Sequence, residues 1–152
     1  MPDKITILFL CTGNSCRSQM AEGFARSLRG DVLDPHSAGY EARGLDPYAS
    51  SVMREVGIDI SQERSKTLED LGNTEYQYVV VVCSETDERC PLYLGKAKVI
   101  YHGFDDPPTL ARHARTEGKR LDHYRRVRDE IRAYVLTLPE SLTADHREIL
   151  SR

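Results

Sequence analysis

The chain has 152 residues, a length that suits one folded domain with a full core, and we treat residues 1–152 as a single domain. Its net charge of −3, with 30% charged residues, gives no overall case for a nucleic-acid or membrane partner, and no segment approaches the ~18 apolar residues of a membrane span. The start of the chain lacks the features of a signal peptide, so we expect the cytoplasm, where cysteines serve catalysis or metal binding more often than structural disulfides.

A strand, a turn and a helix are predicted at the start of the chain. Ile5 to Leu10 form a short apolar run rich in β-branched residues and bounded by turn residues. Beyond the turn, apolar residues recur on one helical face from Met20 to Leu28, and Gly30 can end that helix. A second strand is expected near Asp31 to His36.

A helix start follows at Asp46, because an aspartate directly before a proline is typical of an N-cap followed by the first helical position. This helix should run to about Val56, and Gly57 closes it. A shorter helix is predicted from Thr67.

Two further strands and one long helix complete the pattern. Tyr76 to Val82 and Lys98 to Phe104 are apolar strand candidates, and the 3-4 spacing from Leu121 to Leu138 predicts a helix with one buried stripe. Strands that alternate with helices predict a parallel sheet covered on both faces. Ligands bind at the carboxyl ends of such strands, where Cys11 and Cys83 are both expected.

The turn CTGNSCR, which begins at Cys11, has the features of an anion site. Backbone N–H groups and the helix dipole converge in a short loop between a strand and a helix, and Gly13 and Asn14 tolerate the positive φ that this requires. The planar fork of Arg17 suits tetrahedral oxyanions, and the same field stabilises a thiolate at Cys11. The alternative for Cys11 is a small buried residue at a strand end. The candidate substrate-binding residues are Thr12, Gly13, Asn14, Ser15, Cys16, Arg17 and Ser18.

A second pair of thiols follows the third predicted strand. Cys83 ends that strand and Cys90 lies seven residues further along. The spacing is poor for half of a zinc site, which leaves two inert thiols or a redox pair. The segment between them is polar and has no strong apolar anchor, which favours the movement that thiol exchange requires. The residues alone leave both interpretations open.

An acid is needed as well, because breaking a bond to an oxyanion requires a proton for the leaving oxygen. Three Asp-Pro dipeptides offer a carboxyl group, at Asp34, Asp46 and Asp106. Asp46 is better explained as a helix cap, and Asp34 lies early, near the second strand. Asp106 follows a strong strand, and its alternative is an ordinary turn residue.

The motifs CTGNSCRSQMAEG and GFDDP resemble those of the thioredoxin-coupled arsenate reductases that are built on the low-molecular-weight tyrosine phosphatase fold. The resemblance runs from about Lys4 to about Leu138 and leaves residues 139–152 as an extra tail. It implies a three-layer α/β fold with a four-stranded parallel sheet and helices on both faces. It also implies that Arg17 clamps the oxyanion and that Asp106, directly before proline, is the general acid.

The reaction that the resemblance implies is the reduction of arsenate, for which phosphate or sulfate are analogues, by a cysteine relay. Cys11 is the nucleophile, Cys83 resolves the adduct, and Cys90 moves the disulfide away from the loop, where thioredoxin or another dithiol reduces it. Cys16 has no required step, and neither a cofactor nor a metal is needed.

Two features separate the reductases from the tyrosine phosphatases of this fold. The phosphatases generally lack the second cysteine pair, and they usually carry proline where Gln19 stands. Both features favour the reductase, with a tyrosine phosphatase as the alternative. A non-enzymatic oxyanion-binding or redox-sensing module is the remaining hypothesis.

The chain also departs from the family in two places. Some members bind potassium through four side chains beside the loop, and three of them are matched here by Asn14, Glu22 and Ser37. At the fourth position Lys66 replaces an acid and offers no ligand oxygen, so we predict no metal site. The basic stretch within Pro107–Arg120 is predicted to be a long, solvated loop, with a docking patch for an acidic redox partner as the alternative.

Overall fold

The computed structural model describes residues 3–84, 93 and 95–143. Besides a helical segment at residues 140–143, these residues form four β-strands, four α-helices and one short 3-10 helix. In chain order they are β1 (Ile5–Cys11), α1 (Arg17–Arg29), β2 (Leu33–Gly39), α2 (Pro47–Glu55), the 3-10 helix (Glu69–Leu71), β3 (Tyr78–Val81), β4 (Lys98–Tyr101), α3 (Pro107–Ala111) and α4 (Glu117–Val135). None of the helices in this part of the chain has the length and apolar character needed to cross a membrane.

The four strands form one parallel sheet in the order β2-β1-β3-β4. In the central strand β1, the consecutive residues from Ile7 to Leu10 are all fully buried. Successive side chains of a strand point to opposite faces, so their common burial means that both faces of the sheet are covered. Helix α1 packs against β1, β2 and α4, and α4 also packs against α2 and α3. The predicted α/β fold with a four-stranded parallel sheet is confirmed.

The elements from β1 to α2 match the predictions with one shift. Strand β2 begins and ends later than the predicted region Asp31–His36, because it pairs with β1 along its whole length and thereby places Gly39 beside Cys11. The sheet tolerates Pro35 since β2 is an edge strand. Asp46 caps α2 as predicted, and its side chain accepts a hydrogen bond from the backbone of the first helical turn.

The strands of the second half are shorter than predicted. β3 and β4 have four residues each, whereas the predicted strands were Tyr76–Val82 and Lys98–Phe104. Beyond β4, the amides of His102 and Phe104 still donate to carbonyl groups at the end of β3 and directly after it. The helix predicted from Thr67 is only a 3-10 turn that begins two residues later.

The prediction of a long loop over Pro107–Arg120 is wrong. Two adjacent prolines begin the short helix α3, a position where the fixed φ of proline suits the first helical turn. Thr116 then caps α4 by accepting a hydrogen bond from the amide of Lys119 at 3.1 Å, so the last residues of the supposed loop are helical. The tail also begins inside the fold, because Leu142 is buried in the core. Residues 144–152 lie outside the described part of the chain.

Candidate active site

The anion loop connects β1 to α1, and we use that name for residues 11–18. All of these residues except Ser15 are buried. Asn14 adopts the positive φ of +46° that the sequence suggested. Such a left-handed residue turns successive backbone N–H groups toward a common centre, which is the backbone pattern of an anion-binding nest.

The Cys11 thiol ends β1 and lies 2.8 Å from the hydroxyl oxygen of Ser18. The Asn14 side-chain amide donates to that same oxygen, also at 2.8 Å. In this arrangement the Ser18 hydroxyl can donate to the Cys11 sulfur, a contact that would stabilise a thiolate during nucleophilic attack.

The side chain of Gln19 supports the anion loop by hydrogen bonds. The sequence analysis had used this residue only to separate the reductases from the tyrosine phosphatases. It is fully buried, and its amide nitrogen lies 3.0 Å from three acceptors: the backbone oxygen and the side-chain oxygen of Asn14 and the backbone oxygen of Arg64. Two further bonds come from the same outside segment, from Ser65 Oγ to the Gly13 carbonyl and from the Lys66 amide to Asn14 Oδ1. Residues 64–66 therefore fix the conformation of Asn14.

Arg17 and Asp106 come together although 89 positions separate them in the sequence. One Arg17 nitrogen donates to the carbonyl of Phe104 at 3.0 Å, and the other lies 3.4 Å from Asp106 Oδ1. The second Asp106 oxygen accepts a hydrogen bond from the Thr109 hydroxyl at 2.7 Å. Of the three Asp-Pro candidates, Asp106 is the one that contacts the arginine of the loop. Asp34 instead faces His36 at 3.3 Å on the edge strand.

Cys83 lies at the edge of the anion loop. Its side chain is buried, and its sulfur is 3.8 Å from the hydroxyl oxygen of Thr12, the residue next to Cys11. Cys90 lies outside the described residues, so its pairing with Cys83 stays a prediction.

The four positions that match the potassium ligands also lie together. Ser37 donates to Glu22 Oε1, and the Lys66 ammonium is 3.8 Å from that same oxygen. The lysine thus places a positive charge beside this carboxylate. Glu63 lies next to it, and burial together with the Glu22 charge raises the pKa of the Glu63 carboxyl to about 8.

One further residue at the loop was missed. A Cβ on Gly39 would lie only 2.7 Å from the Asn14 amide nitrogen and 2.9 Å from the Thr12 carbonyl oxygen, so only glycine allows the end of β2 to approach the loop so closely. A glycine at the end of a predicted strand was the available signal.

Comparison with known proteins agrees with this geometry. The sequence profile of the low molecular weight phosphotyrosine protein phosphatases matches residues 6–148. The chain belongs to this family. The match extends past Leu138 to residue 148.

The chain is 47% identical over 131 residues to an arsenate reductase of Bacillus subtilis (86% of this chain, 91% of that protein). It is similar to a solved arsenate reductase in the phosphate binding state, with a TM-score of 0.69 and 32% identity over 88% of this chain and 95% of that one. A thioredoxin-dependent arsenate reductase of Corynebacterium glutamicum gives a TM-score of 0.59 at 25% identity, over 91% of this chain and 63% of that one.

Proposed function

We propose that this protein reduces arsenate to arsenite by a relay of cysteine thiols. The observation that carries the proposal is the Cys83 thiol, buried at 3.8 Å from Thr12 beside a loop that already contains a nucleophile, Cys11. Hydrolysis of a phosphate ester needs only the nucleophile, the arginine and an acid, whereas reduction also needs a thiol that can resolve the adduct. The similar proteins described above are named arsenate reductases, which supports the same choice.

The first step takes place within the anion loop. The backbone of Thr12 to Ser18 and the guanidinium of Arg17 bind arsenate, and the Cys11 thiolate attacks arsenic. A bond forms between sulfur and arsenic, and one arsenate oxygen leaves as water after it accepts a proton from Asp106, the general acid. The contact between Arg17 and Asp106 at 3.4 Å keeps the acid and the oxyanion clamp side by side.

The second step transfers the electron pair. The thiolate of Cys83 attacks the sulfur of Cys11, the sulfur–sulfur bond forms, and the sulfur–arsenic bond breaks with its electrons on arsenic. Arsenic is reduced by two electrons and leaves as arsenite, while the two thiols are oxidised to one disulfide. Cys90 then attacks Cys83, which frees Cys11 and leaves a Cys83–Cys90 disulfide.

A dithiol protein such as thioredoxin restores the Cys83 and Cys90 thiols and is the partner that we propose. The relay needs surroundings that keep thiols reduced, so we propose the cytoplasm as its compartment. A tyrosine phosphatase is the second candidate, because Cys11, Arg17 and Asp106 suffice for phosphoryl transfer from an ester.

The test couples arsenate to NADPH oxidation, first with thioredoxin and thioredoxin reductase and then with a glutaredoxin system. We expect arsenate-dependent consumption with the thioredoxin system, and none for Cys83→Ser. Hydrolysis of p-nitrophenyl phosphate by Cys83→Ser is the control for an intact loop. Steady turnover of arsenate by Cys83→Ser would refute the relay, and ester hydrolysis without any arsenate turnover in the parent would favour the phosphatase.

Cys90→Ser separates the last exchange from the earlier ones. The variant should release about one arsenite per enzyme and then stall as a Cys11–Cys83 disulfide, because the resolving step remains possible. Peptide mapping after a single turnover reads this disulfide directly. Normal cycling of Cys90→Ser with thioredoxin would mean that the reductant acts on Cys11–Cys83 itself.

A further inference from the structure

Gln19 follows the anion loop directly and lies in the first turn of α1. Its side chain is fully buried, a costly place for an amide unless hydrogen bonds compensate for the lost water. The amide nitrogen has three acceptors at 3.0 Å, of which two belong to Asn14 and one is the backbone oxygen of Arg64, 45 residues away. One side chain therefore connects the loop to a distant segment of the chain.

The donors around Asn14 determine the orientation of its side-chain amide, whose oxygen and nitrogen have nearly the same shape. The oxygen Oδ1 faces two donors, the Gln19 amide at 3.0 Å and the backbone amide of Lys66 at 2.8 Å. In the flipped orientation the NH₂ group of Asn14 would face both donors, and their hydrogen bonds would be lost. The two donors therefore direct Asn14 Nδ2 toward the hydroxyl oxygen of Ser18, to which it donates at 2.8 Å.

The same Ser18 oxygen lies 2.8 Å from the sulfur of Cys11. A hydroxyl that accepts from Asn14 can direct its own proton to the sulfur, and a hydrogen bond to a thiolate is stronger than one to a neutral thiol. None of the four side chains in this series is more than 2% exposed, so bulk water does not replace a lost bond; they are Cys11, Asn14, Ser18 and Gln19.

We propose that Gln19 is a positioning residue for the nucleophile Cys11. Its amide nitrogen orients Asn14, and Asn14 orients the hydroxyl of Ser18. That hydroxyl stabilises the thiolate of Cys11, so Gln19 acts on the sulfur through two other side chains. Both reactions considered above use this thiolate, and the proposal holds whether the loop reduces arsenate or hydrolyses a phosphate ester.

Alkylation by iodoacetamide measures the thiolate of Cys11 without any substrate. A background of Cys83→Ser with Cys90→Ser leaves only the two loop thiols, and tandem mass spectrometry assigns the label to Cys11 or to Cys16. The thiolate forms a sulfur–carbon bond and iodide leaves, so the rate at each pH follows the thiolate fraction. The midpoint of the pH profile is the quantity to compare among variants.

Gln19→Met keeps the length of the side chain but removes its donor. We expect the midpoint for Cys11 to rise by about 0.5–1 pH unit, the size of one buried hydrogen bond, and alkylation below the midpoint to be about threefold to tenfold slower. Gln19→Leu should behave alike and provides a second variant should the first fail to fold. Gln62→Met, at an exposed glutamine, is the matched control and should keep the midpoint of the parent.

Two further variants separate positioning from a general loosening of the loop. In a Ser18→Ala background the connection to the sulfur is already broken, so Gln19→Met should shift the midpoint no further. Ser65→Ala removes a different support, the 3.2 Å bond from the Ser65 hydroxyl to the Gly13 carbonyl, and should leave the midpoint unchanged because this bond does not involve Asn14.

Three results would each overturn the proposal. The first is a midpoint for both Gln19 variants that equals that of Gln62→Met. The second is a shift by Gln19→Met that persists undiminished in the Ser18→Ala background, and the third is an equal shift by Ser65→Ala. Because alkylation requires neither arsenate nor a phosphate ester, these outcomes are independent of the proposed function.

Discussion

The two sides of the anion loop are built from different chemistry. One side, which we call the amide side, consists of Asn14, Ser18, Gln19 and residues 64–66, and uncharged hydrogen bonds connect its members to the loop. A second group, which we call the charged side, consists of Arg17 and Asp106, which form an ion pair at 3.4 Å. The comparison shows that two kinds of interaction have separate roles at the loop. Uncharged hydrogen bonds fix the conformation of its backbone, while the ion pair places charged side chains beside it.

The largest effect on activity should come from the charged side. Arg17→Lys should lower arsenate turnover by roughly 10²–10³-fold, because a point charge replaces a planar fork at the developing oxyanion. The free energy of unfolding should change little by comparison. Steady-state kinetics and thermal unfolding measure the two quantities. Arg126→Lys, at an exposed arginine that pairs with Asp105, is the control and should leave turnover near normal.

The largest effect on stability should come from the amide side. Gln19→Leu leaves the carbonyls of Asn14 and Arg64 without their buried donor and should lower the free energy of unfolding by about 1–3 kcal/mol. Urea unfolding measures this loss, and Gln62→Leu at an exposed glutamine is the matched control. If Gln19→Leu were as stable as Gln62→Leu, the amide side would not be what fixes the loop.

Glu63, which lies next to the amide side, makes the stability of the folded protein depend on pH. Its folded pKa of about 8 lies above the ordinary value of 4.5, so the folded state holds the proton more tightly. Its contribution to stability is therefore present at low pH and is lost as pH rises from about 4.5 to about 8. Glu63→Gln should flatten this part of the curve of melting temperature against pH. Glu69→Gln, at an exposed position, should leave the curve unchanged, and a parallel curve for Glu63→Gln would contradict the prediction.

The smallest effect is expected for potassium. Because the Lys66 ammonium lies 3.8 Å from Glu22, the melting temperature should respond alike to potassium and sodium at equal ionic strength. A potassium-specific rise in the parent would show that the lysine does not replace the cation. Lys66→Asp sharpens the test, since the restored acid should introduce such a rise.

Sequence alone predicted what depends on neighbours along the chain. The apolar run of β1, the loop from Cys11 to Arg17 and the proline after Asp46 act over a few residues, so their structures follow from local sterics and hydrogen bonding. The parallel sheet followed as well, from the alternation of strands and helices. The loop over Pro107–Arg120 was predicted with the wrong structure, because its two prolines and the cap at Thr116 were not weighed as helix starts. The helix expected from Thr67 is likewise only a 3-10 turn.

Tertiary structure decided which distant groups meet at the loop. Nothing local connects Gln19 with Arg64, 45 residues away, or Thr12 with Cys83, 71 residues away. Asp34 and Asp106 share the same dipeptide, and the fold places Asp106, 89 residues from Arg17 in the sequence, 3.4 Å from the guanidinium. Long-range contacts of this kind depend on strand order and helix packing. The hydrophobic periodicity of a sequence predicts the fold class, but it does not predict which distant residues meet. The candidate site residues could therefore be named from the sequence and its resemblance, but the partners that hold them in place came from the folded molecule.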